Sequence, residues 1–246
     1  MVSIRMIIRQ GAALAVLLVG LVPAPSQAQA QRAPDCVLDR CEDRAPSERA
    51  FRRPTPAGDF DFYVLALSWS PGFCATGGAD KAREQCQAGR GLGFVVHGLW
   101  PQYEQGFPSD CEGAGRPLSS VALEAARGLF PSEGLARHEW RKHGTCTGRS
   151  PQDYFADVRM ARESVTIPPE FERLRREEEV APADILRAFD KANPRLRAGM
   201  AAVTCARGYL QEVRICMSKD LRAFRPCPQV TRNSCRAPSI KVTPSL

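Results

Sequence analysis

Histidine is scarce in this chain, which has only three among its 246 residues. The three lie in two short stretches, FVVHGLWPQY at residues 94–103 and RHEWRKHGTC at residues 137–146. The second stretch holds His138 and His143 within six residues of each other, and the first holds His97. Histidine used this sparingly and in such dense surroundings indicates a chemical role.

Several familiar catalytic and metal-binding patterns are also missing. The chain has no G-x-S-x-G segment, so a serine nucleophile of the hydrolase type has no support. It has ten cysteines but no C-x-x-C or C-x-x-H pair, which argues against a structural zinc site. Neither an internal repeat nor a shift in composition divides the chain, so we predict one domain after the leader.

The chain has one long apolar run, GAALAVLLVGLV at residues 11–22, which is too short to span a bilayer. Arg5 and Arg9 precede this run, and a small-residue segment AQA follows it and ends at Ala30. This is the pattern of an export signal. We therefore predict a signal peptide at residues 1–30, a periplasmic or extracellular location and no membrane partner.

The remaining chain is mildly basic and holds all the cysteine. Without the two leader arginines, 32 of the 34 basic residues remain against 27 acidic ones, a net charge of +5 that suits a polyanionic partner. An even number of cysteines in an exported chain predicts up to five disulfides. Cys205 and Cys216 flank a turn at Gly208, and we predict that they pair across a hairpin.

The order of the elements predicts an α+β fold, a single disulfide-stabilised domain with a central, mainly antiparallel sheet flanked by helices. We predict a Pro- and Arg-rich lead-in with Cys36 and Cys41 at residues 31–58, the folded domain at residues 59–236, and a frayed C-terminal tail at residues 237–246. Strands are predicted from apolar runs or alternation, and helices from caps and apolar periodicity. The strands fall at residues 60–69, 91–100 and 209–217, and the helices at residues 119–130, 132–144, 150–164 and 182–193.

If residues 133–143 are helical, four titratable side chains share one face of that helix. With His138 at 0°, Lys142 falls at about 40°, Glu139 at about 100° and His143 at about 140°. Trp140 points away from this arc and is predicted to be a core residue. Two imidazoles, a carboxylate and an amine on one arc indicate a reaction site facing a cleft.

The closest competing pattern is the zinc protease helix H-E-x-x-H, which presents its histidines at i and i+4. Here the order is H-E-x-x-x-H, and Lys142 adds a positive charge beside any cation. We therefore predict no metal and no cofactor, and keep a zinc hydrolase as the competing enzymatic hypothesis.

Another reaction fits these groups well, the attack of a ribose 2′-hydroxyl on its neighbouring phosphate. One imidazole takes the hydroxyl proton, another protonates the leaving 5′-oxygen, and a cation offsets the charge that builds on the phosphorane. DNA lacks the 2′-hydroxyl and would be spared.

The two histidine stretches resemble the active-site segments of the ribonuclease T2 family. Its members are secreted and vacuolar acid ribonucleases with little base preference. FDFYVLALSWSPGFC and LQEVRICM resemble further family segments, so the similarity covers roughly residues 59–228. The resemblance implies that His143 is the general base and His97 the general acid, with these two roles open to exchange. It also implies that His138 holds the phosphate and that Glu139 and Lys142 stabilise the transition state.

The resemblance has further implications around these segments. Trp100 is expected to stack on a base. Gln102, where some members carry an acidic residue, and Phe107 are candidate substrate contacts. A disulfide is implied between Cys111 and Cys146, which would fix the two halves of the site relative to each other.

The sequence therefore predicts an exported, monomeric, metal-independent endoribonuclease with low base specificity. It would cleave single-stranded RNA through a 2′,3′-cyclic phosphate to a 3′-phosphate. The alternative is a secreted RNA-binding or cytotoxic protein whose effect does not depend on cleavage.

Overall fold

The structure, a computed structural model, describes residues 56–108, 111 and 117–245. The predicted signal peptide lies outside the described residues, as do residues 31–55 of the predicted lead-in, with Cys36 and Cys41. Within the described part of the chain, no helix is long and apolar enough to cross a membrane.

The described residues form a six-stranded sheet that is antiparallel except for one pairing. The strands are β1 (Phe62–Trp69), β2 (Phe94–Gln102), β3 (Glu178–Val180), β4 (Ala201–Ala206), β5 (Tyr209–Ser218) and β6 (Ile240–Val242). β1 lies between β2 and β5, and β5 also pairs with β4 on its other side. The predicted α+β fold with a mainly antiparallel sheet is confirmed.

Seven α-helices accompany the sheet in the described ranges. They are α1 (Ser70–Ala75), α2 (Ser120–Ala126), α3 (Glu133–Lys142), α4 (Pro151–Glu163), α5 (Pro169–Arg173), α6 (Pro182–Ala192) and α7 (Pro228–Thr231). The serine caps expected from the sequence are present, because Ser119, Ser132 and Ser150 each accept a hydrogen bond from a first-turn backbone N–H. α2 ends at Ala126 and is shorter than predicted, since Gly128 adopts a left-handed conformation with φ of 73°.

The sheet is covered on both faces where the histidines lie, and all eight residues of β1 are buried. Leu65 and Leu67 point into the main core, which also contains Phe155 of α4 and Phe189 of α6. The opposite face carries a smaller cluster of buried residues: Phe62, Val64, Ala66, Trp100, Cys216 and Cys227. This second face positions the candidate site.

Among the described residues, eight cysteines form four disulfides, Cys74–Cys86, Cys111–Cys146, Cys205–Cys235 and Cys216–Cys227. The Cys111–Cys146 bridge is the pairing that the family resemblance implies. It ties the segment after β2 to the end of the second histidine stretch.

The predicted Cys205–Cys216 disulfide is wrong. β4 and β5 do form the expected hairpin, but Cys205 lies opposite Leu210. Cys216 lies at the other end of the ladder, where its N–H donates to the Met200 carbonyl oxygen over 2.9 Å. Cys216 lies six residue steps along β5 from Leu210, on the order of 20 Å, whereas a disulfide needs its Cα atoms within about 7 Å.

The prediction that residues 237–246 form a frayed tail is also wrong for most of that segment. Ile240 and Val242 are each 1% exposed and belong to β6, which pairs with β3. Lys241 pairs with Tyr209 of β5 in the single parallel contact. An alternation of only three residues was too short to mark this strand in the sequence.

Tryptic mapping of the oxidised protein tests the disulfide arrangement. Because Arg–Pro bonds resist trypsin, the four C-terminal cysteines fall in four peptides, residues 198–207, 215–219, 223–232 and 233–236. Mass spectrometry without reduction should find 198–207 linked to 233–236, and 215–219 linked to 223–232. A link between 198–207 and 215–219 would contradict the hairpin register.

Candidate active site

A β-bulge in β2 sets the position of His97. Ala66 of β1 pairs with Gly98 and Leu67 pairs with Val96, so His97 is the extra residue between them. A bulge lets two successive residues face the same side of a sheet. His97 and Gly98 both approach Glu139 on the second face of the sheet, while Val96 is buried in the main core.

α3 brings the second histidine stretch against this face. Glu139 is 1% exposed, and its Oε1 lies 3.8 Å from His97 Nε2. His143 caps the C-terminus of α3 and is 6% exposed. Trp140 packs into the main core against Tyr154, as the helical arc predicts.

Trp100 packs against both catalytic candidates and holds the carboxylate of Glu139. Its Nε1 donates to Glu139 Oε2 over 2.8 Å. Its ring centroid lies 5.2 Å from that of His97 and 5.3 Å from that of His143. The indole is only 8% exposed, so it has a positioning role in this structure, and its stacking on a base stays a prediction.

Gly98 is required by this close packing. A Cβ atom at Gly98 would lie 2.0 Å from Glu139 Oε2 and 2.3 Å from Trp100 Nε1. Any larger residue would push the carboxylate away from the indole, so the glycine after His97 has a steric reason.

The sequence alternation correctly placed β5 as a strand but gave no role to Glu212 and Arg214. Glu212 is completely buried, and its Oε1 accepts a hydrogen bond from His97 Nδ1 over 2.5 Å. Its Oε2 accepts a second one from Arg214 Nε over 2.8 Å. These polar residues of β5 therefore line the floor of the site, opposite the core face that carries Val213 and Ile215.

The electrostatic surroundings favour a charged His97. Burial opposes that charge, but the negative charge of Glu212, its hydrogen bond and the charge of Glu139 outweigh burial and the repulsion from Arg214. Together they raise the pKa of His97 to about 9. His97 is thus protonated at neutral pH.

His143 is held in the opposite state. Burial, followed by the positive charges of His97, Lys142, His138 and Arg214, lowers the pKa of His143 well below 6.5. At neutral pH, one of the two imidazoles beside Trp100 is therefore neutral and the other is protonated. This is the pairing that general acid–base catalysis requires.

Gln102 and Phe107 lie further along the chain from His97. Gln102 lies five residues beyond His97 at the end of β2, or about 16 Å along the strand, and pairs with Phe62. Among the described residues, its side-chain Nε2 donates to the Pro101 carbonyl oxygen. Phe107 lies beyond β2 and is half-buried. Substrate contacts by these two residues stay predictions.

A cleft of about 530 Å³ opens beside His97 and His138. Ser68 of β1 and the first turn of α3 form part of its wall. Most of the rest comes from residues 80–85, within the loop that the Cys74–Cys86 disulfide closes. This loop contributes two basic residues, Lys81 and Arg83, and two acidic ones, Asp80 and Glu84, so it adds no net charge. The cleft has the size to receive part of a nucleotide chain.

Within the described part of the chain, no group of three or more His, Cys, Asp or Glu side chains is arranged to hold a metal ion. The chemical capacity of the cluster lies in its proton-transfer groups. His97 Nε2 and His143 offer a donor and an acceptor, and Lys142 and His138 add positive charge near His143.

Known proteins are similar to this chain in sequence and in fold. A model of the Ribonuclease T2 family matches residues 60–227. A ribonuclease of Aeromonas hydrophila is 52% identical over 111 residues, which cover 44% of this chain and 48% of that protein. Ribonuclease DdI of Dictyostelium discoideum is 29% identical over 199 residues, covering 72% of this chain and 82% of that protein. The chain thus spans about half the length of the Aeromonas relative and more of the Dictyostelium one.

Among solved structures, the complex of RNase NT with 5′-AMP superimposes with a TM-score of 0.58. The match covers 76% of this chain and 100% of that one at 21% sequence identity. At this identity the likeness establishes the fold.

Proposed function

Since the chain belongs to the Ribonuclease T2 family, we propose that it is a metal-independent endoribonuclease acting on single-stranded RNA. The observation that carries the proposal is the pair of histidines that both pack against Trp100 and have opposite protonation at neutral pH. A module that only binds RNA has no need of such a pair. Low base specificity belongs to the same proposal.

In the first step, His143 is the general base. Its neutral imidazole accepts the proton of the ribose 2′-hydroxyl, and the 2′-oxygen attacks the adjacent phosphorus. The bond from phosphorus to the 5′-oxygen breaks, and His97 Nε2 donates its proton to that oxygen. The products are a 2′,3′-cyclic phosphate and a free 5′-hydroxyl.

The remaining residues bind the phosphate and stabilise the charges that the reaction requires. His138 binds the phosphate, and the positive charge of Lys142 offsets the charge that accumulates on the phosphorane. Glu139, 3.8 Å from His97 Nε2, favours the imidazolium and helps to hold it near the leaving oxygen. In a slower second step, a water molecule opens the cyclic phosphate to a 3′-phosphate, with the two histidines exchanging roles.

We also infer that the protein works outside the cytoplasm. Four disulfides within the described residues need an oxidising compartment, which agrees with the export pattern at residues 1–30.

Alanine variants of the two histidines test the function. His97→Ala and His143→Ala should each lower kcat/KM for RNA by about 10²–10⁴-fold, because each removes one proton-transfer group. Arg137→Ala is the matched control, since Arg137 lies on the same helix but pairs with Glu133 at its surface. Initial rates should be measured on variants with native circular dichroism, and near-normal activity in either histidine variant would refute the assignment.

The pH dependence tests which histidine is the acid. kcat/KM should fall on the basic side as His97 loses its proton near pH 9, and on the acidic side as His143 gains one well below pH 6.5. A rate profile alone cannot assign the two groups, so the C2–H resonances of both imidazoles should be titrated by NMR. If His143 titrates at higher pH than His97, the two roles must be exchanged.

A further inference from the structure

We propose that Glu212 is a positioning residue for His97, which fixes the Nδ1 proton so that Nε2 faces the substrate as the proton donor. The inference rests on the proposed function for its catalytic meaning. It assigns a role to a strand residue outside both histidine stretches.

The hydrogen bond defines the orientation of the ring. A carboxylate only accepts hydrogen bonds, so the 2.5 Å contact requires the proton on His97 Nδ1. The other ring nitrogen, Nε2, then points toward Glu139 on α3. When His97 gives up a proton to a leaving group, that proton must come from Nε2, because Nδ1–H is held by Glu212.

Arg214 keeps this carboxylate ionised and in place. Each oxygen of Glu212 has its own charged partner, His97 at Oε1 and Arg214 at Oε2. Burial would raise the pKa of Glu212, but the charges of Arg214 and His97 lower it. Arg214 is itself held over the Trp100 ring, 5.0 Å from its centroid.

The fold has to build this contact across an intervening strand. His97 lies on β2 and Glu212 on β5, with β1 between them, so their backbones are about 10 Å apart. β1 presents small side chains at this point, Ala66 opposite Gly98 and Ser68 opposite Glu212. The bulge at His97 and these small residues leave room for the two long side chains to meet.

A second carboxylate, buried but paired with an exposed arginine, shows what a purely structural arrangement looks like. Asp157 of α4 is 8% exposed, and both of its oxygens accept hydrogen bonds from Arg149, at 2.9 and 3.3 Å. Glu212 instead gives only one oxygen to its arginine and turns the other toward the imidazole. The two pairs therefore offer a matched comparison between a positioning and a structural carboxylate.

Other charged groups lie around His97 and His143, and each of them affects a measurement of pH dependence. They are Arg214 on β5, His138, Glu139 and Lys142 on α3, His143 after α3, and Asp80, Lys81, Arg83 and Glu84 in the loop across the cleft. A shift caused by Glu212 must therefore be measured at His97 itself.

The direct test is Glu212→Gln, because the amide oxygen can still accept from Nδ1 but carries no charge. NMR titration should show the pKa of His97 lowered by about 1–3 units, the usual effect of losing a nearby opposite charge. The basic limb of the kcat/KM profile should move to lower pH by the same amount. Glu212→Leu removes the acceptor as well and should lower kcat at every pH, so a partial recovery in the Gln variant would separate orientation from charge.

Asp157→Asn is the control. It also removes the charge of a buried carboxylate beside an arginine, so it reports what general destabilisation does, and it should leave the His97 titration unmoved. A folded Glu212→Gln protein with an unchanged His97 titration and an unchanged basic limb would overturn the proposal.

A measurement on the unmodified protein keeps the test valid if the variants do not fold. Above its pKa, neutral His97 should carry its proton on Nδ1, which ¹⁵N chemical shifts distinguish from the Nε2–H form. The Nε2–H tautomer would overturn the proposal. If the protein did not cleave RNA at all, the proposed function would fail, while the tautomer and the titration would still decide whether Glu212 positions His97.

Discussion

Two buried carboxylates beside the His97 imidazole determine the charge state on which the whole site depends. Glu139 and Glu212 are almost inaccessible to solvent, and a buried charge is stable only with compensating charge and hydrogen bonds. Arg214 satisfies part of this need at Glu212, and the protonated form of His97 satisfies the rest. The protein therefore stabilises an imidazolium in an environment that would otherwise exclude it.

The same charges explain why the two histidines differ in protonation at neutral pH. His143 has no comparable acidic contact among the groups that govern its pKa, which are all positive. Burial then works against its protonation, whereas at His97 burial is overcome. The Trp100 ring lies at similar distances from the His97 and His143 rings and donates a hydrogen bond to Glu139. Burial opposes protonation of both imidazoles, so their different protonation states follow from the charges of their neighbours.

The sequence predicted those parts of the site whose residues are close together in the chain. The helical arc predicted that His138, Glu139 and His143 form one group, although α3 ends at Lys142 and His143 is its C-terminal cap. His97 was singled out because histidine is scarce in the chain. The Glu212 contact could not be predicted in this way, because it depends on β5 pairing with β1 at Ser68 and Glu212, far apart in the chain. The Cys205–Cys216 error has the same origin, since it assumed a hairpin register that only the ladder of β4 and β5 defines.

The most direct test of the two-histidine chemistry is the identity of the new RNA ends. The oxidised protein without residues 1–30 should be incubated with excess EDTA and either single-stranded RNA or DNA of the same sequence, and the products analysed by mass spectrometry. Attack by the 2′-hydroxyl predicts 2′,3′-cyclic phosphate and 5′-hydroxyl ends on RNA and no cleavage of DNA. Ends carrying a 5′-phosphate, cleavage of DNA, or loss of activity in EDTA would contradict the account.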